Sequence, residues 1–458
     1  MKEVLRIIRK WIVPSFALLA LCGTFAGGAL WHEYAYIAPY EKDLREIAGG
    51  GDEGVEGRFY TFRPPNTGAG AANGDNEELN ALGYLSGYVE APELQGVTAF
   101  EPEKTYSGLN LYTSGHAPEA YLMDMEGRVV HQWRYTFEQL WPDVEQTANY
   151  TQYFRRTHLF DNGDLLAIFE PHGIFKLDKD SKLLWSNHNE AHHDLHVHED
   201  GTISVLTRKV HPVLWFSTYG TVIESFISQL RPDGKVIREV SLLECFRDSR
   251  YSSYLKRAER GGDVLHANAL KFLDGKHKHL SPAFRRGNFL VSIRELDAVV
   301  VVDLDAGKVV WALSGMWSRQ HEPTLLENGH LLVFDNLGNA GRSKVVEVEP
   351  LRQNVVWTYG LERDEPLFSE TCGAVARLPN GNTLITESNN GRVIEVTPNK
   401  QIVWEFVSPH RAGERDELIA TLLHMERLSP TFSPDWLKAG AEDSEDGAGR
   451  SGLRTGAP

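Results

Sequence analysis

Three histidines occupy matching places in a repeated sequence pattern. His193 lies eight residues before Gly201, His321 lies eight before Gly329, and His266 opens the corresponding strand of a third, diverged repeat. Seven residues after the turn glycines, with Gly287 serving the diverged repeat, stand Arg208, Arg294, Asn336 and Ser388. A tight hairpin returns the end of its second strand to the start of its first, so His193, His266, His321, Arg294 and Asn336 are expected around one small space. Apolar packing has no use for such residues in a shared register. Imidazole is a nucleophile and proton carrier near neutral pH, and a guanidinium offers oxyanions a planar fork of donors. His192, His196 and His198 share one strand face by alternation, but a metal would need a further ligand from elsewhere, and no metal or cofactor is expected.

The elements that must position these residues are short strands joined by tight turns. THLFDNGDLLAIFE, DLHVHEDGTISVLTR, EPTLLENGHLLVFDN and AVARLPNGNTLITES turn at Gly163, Gly201, Gly329 and Gly381, each preceded by Asn or Asp. Such dipeptides readily adopt positive φ. HANALKFLDG and GNFLVSIRE form the diverged copy, with residues 276–286 inserted at its turn. The copies close on strands ending at Trp185, Trp311, Trp357 and Trp404, with Val240 in the tryptophan place of the third unit. GLNLYTSG, EAYLMDMEG and RVVHQW add three strands ending at Trp133. The pattern predicts an all-β fold, a six-bladed β-propeller with the tryptophans as inter-blade core. The first unit lacks its first strand, and TLLHMER at 421–427 is expected to supply it, with a helix as the alternative.

Outside the repeats, residues 11–31 form the one uncharged apolar run, long enough for a transmembrane helix. Lys2, Arg6, Arg9 and Lys10 precede it, so the positive-inside rule leaves 1–10 in the cytoplasm and exports the rest. A cleaved signal peptide is the rival reading. The expected order is a single-pass signal-anchor at 11–31, an extracytoplasmic linker at 32–104, a propeller at 105–428 and a disordered tail at 429–458. The main domain is thus expected in the periplasm at the inner membrane, which export-dependent reporters fused after Gly49 would read. Net charge of −16 excludes a nucleic-acid partner. Cys245 and Cys372 are too few for a disulfide framework and leave one long-range pairing open.

HHD at 192–194, LHAN at 265–268, SIR at 292–294, QHEPTLLENGHLLVFDN at 320–336 and LPNGNTLITESNNGRVIEVTP closely resemble the bacterial arylsulfotransferase family over roughly residues 108–409. The resemblance implies a six-bladed propeller that moves a sulfuryl group from an aryl sulfate donor to a phenolic acceptor through a sulfated histidine, without a nucleotide donor. His321 matches the nucleophile, while His193, His266, Asn268 and Arg294 match positions that bind sulfuryl oxygens; Asn336 is expected beside them. The family's closely spaced cysteine pair has no counterpart here, and Thr386 and Ser388 are candidates for its acceptor-side threonine. A sulfate monoester suits this set, because a neutral imidazole meets its negative charge without the repulsion a carboxylate would feel. The alternative is a non-catalytic propeller that binds an envelope ligand. A quinoprotein-like dehydrogenase would show a vicinal cysteine pair or a calcium cluster, and neither is present in the sequence.

Overall fold

A computed structural model describes residues 89–144, 153–217, 221–413 and 415–437. The expected cytoplasmic N-terminus and anchor lie outside the described residues; among those described, no helix is long and apolar enough to cross a membrane.

Six antiparallel sheets follow one another along the chain. Blade 1 takes its innermost strand, Leu422–Arg427, from the far end of the chain and continues through Asn110–Ser114, Glu119–Met123 and Val129–Arg134. The closing strand is therefore a strand and not a helix. Innermost strands of blades 2 to 6 are Arg156–Leu159, Ala191–Val197, Ala267–Phe272, His321–Leu325 and Ala374–Arg377. The inner strands of blades 2 to 6 pack side by side, and blade 1 closes the ring, touching blade 2 through Asn110–Ser114 and blade 6 through Leu422–Arg427. Glu395 of blade 6 and Arg427 of blade 1 seal that junction with a 2.9 Å ion pair in which neither side chain is exposed.

Each junction has its own apolar core, because one face of each sheet must be buried against the next blade. Trp133, Phe154 and Phe175 fill the space between blades 1 and 2, and Tyr112 and Trp404 that between blades 6 and 1. Each such aromatic ring contributes roughly 1.5–3 kcal/mol when fully buried. Trp185, Trp311, Trp357 and Trp404 sit just after the same register shift along their outer strands. Two expectations are corrected here: His131 and Arg238 hold that place in blades 1 and 3, and Trp133 and Val240 come two residues later. The shift of two preserves the strand face.

The expected linker and tail also need correction. Gly96–Phe100 pairs with Ile402–Val407 as a fifth strand of blade 6, covering an edge that would otherwise offer unpaired backbone groups. Trp436, expected in a disordered tail, donates from its indole to Asp161 O at 3.0 Å and packs edge-on against Trp133. Cys245 and Cys372 are free and buried.

Candidate active site

Innermost strands of blades 3, 4 and 5 begin at one mouth of the channel, and each begins with an irregularity. Register shifts at Ala191/Leu195, Ala267/Ala269 and His321/Thr324 coincide with φ of +53° at His193, +45° at His266 and +47° at Glu322. Non-glycine residues adopt such angles at a cost, and a bulge there re-aims side chains that a flat strand would send to alternate faces. His193 and His266 rings come within 4.9 Å, and His321 senses the charge of His266, Arg294 and Arg155. The expected convergence of His193, His266, Arg294 and His321 is present.

Each of the three imidazoles has an oxygen close to Nδ1. His193 meets Glu170 at 2.8 Å, His266 meets Asp263 at 2.9 Å, and His321 meets Asn336 Oδ1 at 2.7 Å. The third holder differs in charge. Asn336 spends its amide N–H groups on Ser369 O at 2.8 Å and Cys372 O at 2.6 Å, which turns its oxygen toward His321. Arg319 O, 3.1 Å from the same nitrogen, is likewise only an acceptor. Nδ1 of His321 must carry the proton, and its Nε2 presents a lone pair. Asn336 therefore touches His321 rather than a ligand in this arrangement.

The remaining expected residues are placed as follows. Asn268 donates to Gln320 O at 3.0 Å, immediately before His321, and its Oδ1 is buried without a partner. Arg294 binds Glu295, which also binds Arg319. Ser388 accepts from Gly373 N at 3.0 Å, and Thr386 lines the channel instead. The bulge separates His192 from His196 and His198: His192 Nδ1 lies 2.9 Å from His193 Nδ1, whereas His196 stacks on Phe272.

Two site residues escaped the sequence reading although its own register marks them. Arg155 lies eight residues before Gly163 and Glu170 seven after it. They pair at 3.1 Å, with only 5% and 1% of their surfaces exposed. Glu170, His192 and His193 bring possible metal-ligand atoms within 4.8 Å of one another. The Arg155 guanidinium already supplies positive charge there.

Below the mouth, a cavity of about 270 Å³ follows the channel. The acids next to the two histidines point into it: Asp194 and Glu322 are both bridged by Arg156 and by Lys271 in a closed ring of four charges. Burial alone would raise the Asp194 carboxyl, but Arg156 and Lys271 outweigh it and hold it low.

Burial pushes His193 and His321 well below the ordinary 6.5; Arg155 reinforces this at both, and the Asn336 hydrogen bond opposes it at His321. Burial also takes His192, His172 and His196 down to about 4. The unfolded chain therefore binds protons first as pH falls. Stability from burying these rings neutral is complete above pH 6.5 and drains away between 6.5 and about 4, by up to about 1.4 kcal/mol per pH unit for His192 and by less for the more solvated His172 and His196. Urea midpoints should fall from pH 7 to pH 5; a constant midpoint across that interval would contradict neutral burial.

Fold and site together define a propeller whose channel mouth holds histidines and arginines suited to an anionic group. The arylsulfotransferase (ASST) family model matches residues 156–409, more than half of the chain, and the chain belongs to that family. Its function is accordingly aryl sulfotransferase-like in broad class. Among solved structures, a Bacteroides caccae protein of unknown function is 13% identical with a TM-score of 0.45, covering 69% of this chain and 97% of that one. A streptogramin B lyase structure is 12% identical with a TM-score of 0.41, covering 75% and 96%. The WD40 propeller domain of Doa1 is 13% identical with a TM-score of 0.38, covering 69% and 78%. No curated protein matches the chain.

Proposed function

We propose that the chain transfers a sulfuryl group from an aryl sulfate ester to a phenolic acceptor through sulfated His321. One observation carries the reading: the amide of Asn336 is oriented by two carbonyls, so it fixes His321 with the proton on Nδ1 and the lone pair on Nε2. Nε2 attacks sulfur as the bond from sulfur to the aryl oxygen breaks, and the phenolate leaves with its electron pair. His266, held by Asp263, gives that phenolate a proton and later takes one from the acceptor. The acceptor oxygen then attacks sulfur and releases Nε2. Arg294, Arg155 and the Nε2 side of His193 face the sulfuryl oxygens as their charge develops.

The choice of holder separates the three roles. A neutral amide places no charge beside His321 and leaves it a nucleophile, whereas His193 and His266 each have a carboxylate beside Nδ1. The test incubates the purified protein with a chromogenic aryl sulfate and an acceptor phenol. Acceptor sulfation that needs no nucleotide is expected, with donor phenol released before acceptor binds. Failure to transfer from a range of aryl sulfates would leave a binding propeller instead.

A further inference from the structure

A second group of unsatisfied donors lies between blades 2 and 3, one imidazole away from the site. Arg208 ends the inward run of its strand with only 9% of its surface exposed, yet its side chain has no ion pair or hydrogen bond among the described residues. Largely buried arginines are usually paired. His172 Nε2 is buried and unpartnered, and so are both amide atoms of Asn189. Backbone bonds tie these residues together: Arg208 N donates to Glu190 O at 3.2 Å, and Glu190 N donates to His172 O at 3.0 Å. The strand register explains Arg208, but packing does not explain the unpartnered side-chain atoms of His172 and Asn189 on the segments bonded to it.

Buried aromatic rings pack against two neighbouring histidines. Phe137 lies 4.7 Å from the His172 ring, and Trp141 lies 5.2 Å from His188, edge to face. His172 and His188 stand 5.8 Å apart. Arg208 also acts electrostatically on His192, whose Nδ1 touches that of His193. Glu190 is the one carboxyl in this group; burial raises it, and Arg208 opposes that rise without forming an ion pair.

We propose that Arg208, His172 and Asn189 form a second anion subsite that takes a carboxylate or sulfate substituent on the ring of an aryl substrate. A guanidinium fork and neutral N–H donors suit a planar or tetrahedral oxyanion. The inference rests on the sulfuryl-transfer reading for the identity of that substrate.

Calorimetry on the full chain with phenyl sulfate and 4-carboxyphenyl sulfate tests it. The wild type should bind the carboxylated ester at least tenfold more tightly, and Arg208→Met should erase that preference while leaving phenyl sulfate binding within twofold. Arg208→Lys should keep part of the preference and Asn189→Ala should weaken it, so the idea stays testable if Arg208→Met fails to fold. Equal binding of both esters by the wild type, or a preference that survives in folded Arg208→Met, would overturn the subsite. Free sulfate that competes as well as the carboxylated ester would also overturn it, in favour of a free-ion site. Preference without turnover would sink the transfer reading alone; turnover without preference would sink the subsite alone.

Discussion

His321→Ala should abolish sulfuryl transfer while the protein remains folded. Removing a covalent nucleophile costs on the order of 10⁴-fold or more in kcat, because the residual site can only bind and polarise the donor. The fold should tolerate the change. His321 pairs with Phe334 through backbone groups, which alanine keeps, and the positive φ belongs to Glu322. The loss leaves Asn336 Oδ1 without its donor, at about 1 kcal/mol. Incubation of wild type with donor alone should add the mass of one SO3 to the peptide that contains His321. Normal turnover by folded His321→Ala, or a sulfuryl group on another residue, removes His321 from this role.

Arg155→Met should be nearly as damaging, and for two separable reasons. Arg155 and Glu170 are a buried pair, so removing the cation leaves Glu170 as an uncompensated buried charge, at about 3–5 kcal/mol of stability. Arg155 also lies close enough to His193 and His321 to depress both, which places its charge where the sulfuryl oxygens would sit. Loss of one preorganised donor of this kind costs about 10²–10³ in kcat. The double variant Arg155→Met/Glu170→Met separates the effects, since replacing both ends of a buried pair by apolar side chains restores stability. Its urea midpoint should recover most of the loss while its turnover stays low, because His193 no longer has its holder. If the single variant keeps its midpoint, the pair contributes little; if the double variant recovers turnover, Arg155 acts only on folding.

Arg155 also shows how far the sequence could be read. The register that singles out His193 and His321 points equally to Arg155 and Glu170 in blade 2. Asp263 is different. It lies in a two-residue strand paired in parallel to blade 3, and no repeat register reaches it. Asn336 was placed beside His321 by register, but its role came from two carbonyls, Ser369 O and Cys372 O, on the connection to blade 6.

By itself the sequence determined the six-fold repeat, the turn glycines and the end of the channel at which the histidines gather. These depend on alternation along a strand and on the positive φ of a turn, which are local and written in neighbouring residues. Tertiary structure alone decided which oxygen holds which imidazole, that Gly96–Phe100 joins blade 6, and that Trp436 packs on Trp133. Each of those contacts joins residues brought together by ring closure, or turns on a bulge that shifts a strand by one residue and reverses the face its side chains take.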